Sequence, residues 1–251
     1  GSEAGHVSGC PARVFALSDD GQEWIQLGKE VTLKPSCLGD ILDEYDIYQG
    51  CYCYRESDAV AISTDGSIVA VAEVRSDSIG TVRAFEWSEG EWVQLGADIY
   101  EEDTGHESEG FSLSLSGSGN RLAIGRGKKT IGVMVYDLKD RNWVRSGTIL
   151  GEDEDDEFGE SISLSSDGQK LAVGIPERDV VWQNETVRWA GAVQVYEYIY
   201  GNWTQTAEIS GSESWSDFGR SVALSGDGSH LAVGTPEDGA GTVHVYKGSR
   251  I

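Results

Sequence analysis

The side chains best suited to chemistry fall into a few groups. All four cysteines, Cys10, Cys37, Cys51 and Cys53, lie near the N-terminus. Two disulfides tying down a long N-terminal segment are the simplest use of that clustering. Cys51 and Cys53 share a face when extended, but a bridge between such near neighbours is strained, so each is expected to pair with Cys10 or Cys37. Four thiolates around zinc are the alternative, and the absence of a Cys-x-x-Cys knuckle argues against it. Two N-glycosylation sequons, at Asn184 and Asn202, point with the disulfides to a secreted, extracellular protein.

Carboxylates form the second group. The run Glu152 to Glu157 and the segment Glu101 to Glu109 are strongly acidic, and Asp40, Asp43, Glu44 and Asp46 add to them. Converging carboxylates hold Ca²⁺ or receive a basic partner. Asp153, Asp155, Asp156 and Glu157 are the candidate metal ligands, against the plainer reading of a solvated charge run. Tryptophans form the third group. Trp24, Trp92, Trp143 and Trp203 recur once per unit of a repeat and read as scaffold, whereas Trp182, Trp189 and Trp215 break that pattern. Exposed indoles stack on sugar rings or anchor protein partners, so these are the candidate ligand-binding residues. The alternative is a small core inside a large loop.

Catalytic signals are weak. No Gly-x-Ser-x-Gly or His-Glu-x-x-His is present, the histidines are scattered, and no catalytic residue is assigned. The acidic loops offer many carboxylate pairs, so a glycan-active enzyme is kept as a minority reading. Gly125-Arg-Gly-Lys-Lys129 lacks the spacing of a phosphate loop and reads as an exposed basic turn. The net charge of −24 argues against nucleic acid, whose affinity comes from Lys and Arg on phosphates. No apolar stretch is long enough to span a bilayer.

The elements that must position these residues are legible from self-comparison. Ser161-Ile-Ser-Leu-Ser-Ser-Asp-Gly-Gln-Lys-Leu-Ala-Val-Gly aligns with Ser221-Val-Ala-Leu-Ser-Gly-Asp-Gly-Ser-His-Leu-Ala-Val-Gly. Weaker copies turn at Gly66 and Gly119. The turn glycines Gly66, Gly119, Gly168 and Gly228 recur at roughly 50 to 60 residues, the length of one propeller blade. Each hairpin is followed by a strand such as Gly191-Ala-Val-Gln-Val-Tyr and then by one led by tryptophan, such as Trp203-Thr-Gln-Thr. Alternation of apolar and polar residues, β-branched content and Asp-Gly turns predict four strands per unit, a to d. The expectation is an all-β chain: a β-propeller of about four four-stranded blades, with the N-terminal strand closing the ring. A slice of a longer propeller array is the alternative, because one c strand is surplus. One domain, 1–251, divides into an N-terminal half-blade with the cysteine-rich loop (1–57), units 58–110, 111–157 and 158–217, and a last partial unit (218–251).

The pairs Phe158-Gly159 with Gly174-Ile-Pro176, and Phe218-Gly219 with Gly234-Thr-Pro236, resemble the FG-GAP repeats of integrin α-subunit propellers. The Ser-x-Asp-Gly-x-x-Leu-Ala-Val-Gly core is similar to a WD-repeat hairpin. The second unit departs from the first pattern with Gly110-Phe111, and the first unit has neither motif. The resemblance implies extracellular recognition or adhesion by loops on a rigid ring. It also implies Ca²⁺ in an Asp-rich a–b loop. Here that loop has shrunk to a turn such as Ser166-Asp167-Gly168, with too few oxygens for the ion, so those family sites do not carry over.

Because strand direction alternates, short a–b and c–d turns fall on one face and long b–c and d–a links on the other. That second face carries the acidic runs, the off-pattern tryptophans and the cysteine-rich segment. It is the expected binding surface for a protein or carbohydrate at a cell surface or matrix. A structural spacer in a larger extracellular assembly is the alternative function.

Overall fold

The computed structural model describes residues 12–31, 59–74, 80–101, 111–126, 132–236 and 240–248. Cys10, Cys37, Cys51 and Cys53, the acidic positions 40–46 and 102–109, and Lys128 and Lys129 lie outside the described residues.

The repeats fold into antiparallel sheets. A hairpin of β1 (Phe15–Leu17) and β2 (Trp24–Gln26) comes first. The first blade contains β3 (Val60–Ile62), β4 (Ile68–Val74) and β5 (Gly80–Ser88), with β6 (Glu91–Gln94) and β7 (Ile99–Glu101) both paired to β5. The second runs β8 (Phe111–Leu115), β9 (Arg121–Arg126), β10 (Val133–Lys139), β11 (Asn142–Ile149). The third begins with β12 (Ile162–Leu164) and β13 (Lys170–Ile175). A separate hairpin, β14 (Val180–Trp182) and β15 (Glu185–Val187), then intervenes before β16 (Ala192–Ile199) and β17 (Asn202–Ser210) complete the blade. The last is β18 (Ser221–Leu224), β19 (His230–Thr235) and β20 (Thr242–Lys247). These four sheets are arranged as the blades of a four-bladed β-propeller.

Strand register makes the blades comparable residue by residue. Val82, Val133, Val193 and Val243 share one position of strand c, opposite Ala72, Gly125, Gly174 and Gly234. Phe85, Tyr136, Tyr196 and Tyr246 share another, opposite Val69, Leu122, Leu171 and Leu231. An odd separation turns the two positions to opposite faces of the sheet. Each valine therefore meets the aromatic of the following blade: Val82 clusters with Tyr136, Val133 with Tyr196, and Val193 with Tyr246. Phe111, Phe158 and Phe218 plug the same three seams.

The Phe-Gly and Gly-x-Pro motifs are parts of these seams. A Cβ on Gly174 would collide with the Gly219 carbonyl, and one on Gly125 with the Gly159 carbonyl, so glycine there lets two backbones touch. Ser112 and Ser161 Oγ donate 2.7 Å hydrogen bonds to the Gly159 and Gly219 carbonyls. Ser114 and Ser163 Oγ accept from the Leu164 and Leu224 amides at 2.9 Å, which satisfies amides on the inner edge strands. The a–b turns form a backbone chain in which Thr64 N–H donates to Gly117, Gly117 to Ser166, and Ser166 to Gly226. Two of the once-per-unit tryptophans act as interblade latches, Trp92 Nε1 donating to the Leu27 carbonyl (2.9 Å) and Trp143 Nε1 to that of Leu95 (3.0 Å). At the next seam the Arg121 guanidinium sits 4.3 Å above the Tyr198 ring and 5.6 Å from that of Trp203.

The N-terminal hairpin has a place that differs from the expected ring-closing strand. Strands β1 and β2 pair with each other, and among the described residues no ladder joins either to β20. Ala12, Val14 and Val31 pack instead on Val69, Val71, Phe85 and Trp92 of the first blade. The reason lies in the register: Ala12 bridges Val31 as Val82 pairs Ile99 and Val133 pairs Ile149. The hairpin thus carries the c–d half of a preceding blade and docks forward as every c–d pair does.

Candidate recognition surface

The long links of the third blade build the surface that carries the off-pattern tryptophans. Between b and c, the β14–β15 hairpin turns at Gln183 and Asn184, both in the left-handed region (φ 52° and 66°), which suits a two-residue hairpin turn. Trp182 stands at its tip, paired with Glu185 and 60% exposed. Between d and a, the chain from Gly211 to Asp217 returns toward the same place, where Gly191 bridges Phe218 in parallel.

These two links bring Trp189 and Trp215 together. Their ring centroids are 4.7 Å apart at 61°, edge to face, and both remain exposed. Each has a left-handed backbone, φ 50° and 67°, a costly conformation for a bulky residue. The surrounding bonds hold it: Trp189 N–H donates to Asp179 Oδ1 (2.9 Å), and Trp215 N–H to the Arg188 carbonyl (2.9 Å). Buried Ser216 Oγ donates to the Ala190 carbonyl at 2.9 Å. The aromatic pair is therefore preorganised on a bonded frame. Neither Asp179 nor Ser216 was singled out by sequence pattern, since a cap and a buried hydroxyl in an irregular link have no periodic signature.

The acidic run beside them is organised by arginines. Asp153 caps a 3-10 turn, Glu154–Asp156, by accepting from the Asp155 amide (3.0 Å). Asp156 lies 4.0 Å from Arg178 Nε. Burial, assisted by Asp153, Glu152 and Asp179, pushes its carboxyl above the ordinary value against the pull of Arg178. Arg178 also pairs with Glu152 (2.6 Å) and Glu208 (3.5 Å). Glu157 is buried and turned to Arg220 (3.0 Å). Asp153, Asp155, Asp156 and Glu157 are thus spread over a cap, a turn and two arginine pairs. Among the described residues no three His, Cys, Asp or Glu side chains gather as a metal-binding group.

From this cluster a polar chain runs into the blade. Glu208 accepts from Gln194 Nε2 (2.8 Å), and Gln194 Oε1 accepts from the Tyr196 hydroxyl (2.5 Å). Burial first, then the nearby Glu152 and Glu208 charges, push the Tyr196 phenol up to about 12. It therefore remains a neutral donor at physiological pH. Arg178, Glu208 and Gln194 sit at strand and link positions that read only as polar alternation in the sequence. Asn184, in the β14–β15 turn, and Asn202, the first residue of β17, are both exposed, as a glycosylation acceptor must be. His230 and His244 are exposed on the last sheet.

The class defined by this fold is the β-propeller, with blades joined by Phe-Gly seams and tryptophan latches. Beyond the fold, no protein-family model matches the chain and no curated protein matches it. No helix among the described residues is long and apolar enough to cross a membrane.

Proposed function

We propose that this protein is an extracellular recognition module that binds a protein or glycan partner at its long-loop face. The observation that carries the reading is the exposed Trp189–Trp215 pair, held by backbone hydrogen bonds in a strained conformation, with Trp182 on the adjoining hairpin. Strain kept at a solvent-exposed aromatic pair is the kind of preorganisation a binding surface uses, because it removes ordering cost at the moment of contact. Indole faces suit both sugar rings and protein hot spots. The exposed sequons support the extracellular setting. The acidic surroundings favour partners that are neutral or basic.

Glycan arrays and cell-surface extracts probed with the intact chain, followed by Trp189→Ala, Trp215→Ala and Trp182→Ala, test this. Binding that falls at least about tenfold in the Trp189 or Trp215 variants supports it, as expected for an aromatic hot spot. Unchanged binding in all three, or none by the intact chain, removes the assignment of this face.

A further inference from the structure

The chain holds its own example of what an aromatic pair beside a carboxylate takes. At the seam between the second and third blades the Tyr198 and Trp203 rings lie 5.3 Å apart at 49°. The Arg121 guanidinium sits 4.3 and 5.6 Å from their centroids and is anchored by Asp137 at 2.6 Å. Arg126 likewise lies 5.3 Å from the centre of the Phe111 ring. The Trp189–Trp215 pair repeats the receiving half of that arrangement. Its rings are 4.7 Å apart at 61°, and the Asp179 carboxylate accepts from the Trp189 amide at 2.9 Å. Here, however, the rings meet solvent, Trp189 being 41% and Trp215 54% exposed. The third blade packs on the second at one side and on the last at the other, so this exposure does not depend on where the chain begins or ends.

Charge sets the occupant. Links 151–157, 176–190 and 211–217 carry eleven carboxylates against two basic residues, Arg178 and Arg188, so the field around the pair is negative. Arg178 is already paired with Glu152, Asp156 and Glu208. Trp182, exposed at the hairpin tip, has Glu185 directly across the ladder, and exposed Glu213 lies two residues before Trp215. Each exposed indole thus has a carboxylate for company. That combination favours a cation over a neutral sugar ring, because the ring face attracts the charge and the carboxylate pairs with it. We infer that the partner at this face is a basic protein segment, with an arginine side chain seated on the Trp189–Trp215 pair beside Asp179 and a further cation near Trp182 and Glu185. Arginine fits better than lysine, since its planar guanidinium stacks on a ring while its N–H groups still reach a carboxylate. The inference rests on the reading of this face as a recognition surface and narrows it to one class of partner.

Calorimetric titration of the full chain with hexaarginine, hexalysine and hexaglutamate peptides, at about 50 and about 300 mM salt, tests this beside the glycan arrays. Hexaarginine is expected to bind at least about threefold more tightly than hexalysine, and to weaken at least about tenfold at the higher salt, with no binding of hexaglutamate. Trp189→Ala/Trp215→Ala leaves the net charge unchanged and is expected to weaken hexaarginine at least about tenfold. Glu185→Gln/Glu213→Gln should weaken it at least about threefold. Arg188→Gln, which removes a like charge but keeps the carbonyl that holds Trp215, should tighten it. These charge variants carry the test if the tryptophans cannot be replaced without unfolding. Equal affinity for arginine and lysine, or hexaarginine binding that both the tryptophan and the glutamine variants leave unchanged, overturns the inference. Tryptophan-dependent binding on glycan arrays with none of hexaarginine overturns it while the recognition face stands, and no tryptophan-dependent binding of any probe removes both.

Discussion

Replacing Arg121 by methionine tests the seam between the second and third blades at its most connected side chain. Arg121 is buried, and its guanidinium makes a two-pronged pair with Asp137 (2.6 and 3.1 Å). It also donates to the Gly168 carbonyl on the next blade (2.8 Å) and covers the Tyr198 ring. Breaking a buried ion pair costs about 3 to 5 kcal/mol when the remaining charge is stranded. The Asp137 side chain keeps 18% of its exposure, so water recovers part of that. The lost stacking on Tyr198 adds about 0.5 to 1 kcal/mol. The expected net loss is about 3 kcal/mol, roughly a hundredfold in the folding equilibrium. Urea unfolding followed by tryptophan fluorescence measures it, and Trp203 lies at the seam in question.

The pH dependence makes this test sharper. Burial pushes the Asp137 carboxyl up, but hydrogen bonding and charge from Arg121, with help from Ser146 and Lys139, hold it below its ordinary value. A carboxylate depressed on folding contributes stability that is present above its unfolded pKa and lost as pH falls through the folded one. In Arg121→Met burial is opposed only by Ser146 and Lys139, so the variant takes up its proton earlier. The gap between the two proteins is therefore widest near neutrality and narrows below about pH 4. A loss under about 1 kcal/mol at neutral pH, or a gap unchanged in acid, would refute the assigned pairing.

Other perturbations separate seam from surface. Trp143→Phe removes one interblade hydrogen bond and is expected to cost about 1 kcal/mol by denaturant midpoint, whereas Trp24→Phe, with no partner blade, stays within about 0.5 kcal/mol. Gly174→Ala drives a methyl into the Gly219 carbonyl and should cost more than about 2 kcal/mol, while Gly201→Ala has open space and pays only for its left-handed backbone, about 1 kcal/mol. Hydrogen bonds from Ser63 and from the Ser67 amide and hydroxyl hold the Asp65 carboxyl down to about 2, and the like-built turn at Asp227 is also depressed. Acid melts should show stability falling progressively from about pH 4 toward pH 2, and Asp65→Asn should remove part of that slope.

Much of the scaffold was legible because repetition turns one weak pattern into several aligned ones. The strand order, the Asp-Gly turns and the scaffold tryptophans all follow from residue type at fixed spacing. Period-two alternation needs no knowledge of distant contacts. The Phe-Gly motif was visible as a motif, but its purpose, a backbone-to-backbone contact between blades at Gly125 and Gly174, appears only when the blades are set side by side. The serines of the inner strands were read as polar alternation, yet they clip each edge strand to its neighbour.

For the candidate site the division is clearer still. Sequence alone marked Trp182, Trp189 and Trp215 as departures from the repeat and placed them on one face. Only the tertiary structure made Trp189 and Trp215 a pair, since they lie in different links of the third blade and meet through Asp179, Arg188 and Ser216. It likewise divided the run Glu152 to Glu157 among a cap and arginines that sit as far away as Arg178 and Arg220. Charge density is a property of the chain, but what a carboxylate faces is decided by strands that sequence separation does not bring near. The same holds for the array's ends. Residue type gives Val243 the strand-c position that is buried at Val82, Val133 and Val193, and only the packing among the described residues shows it exposed.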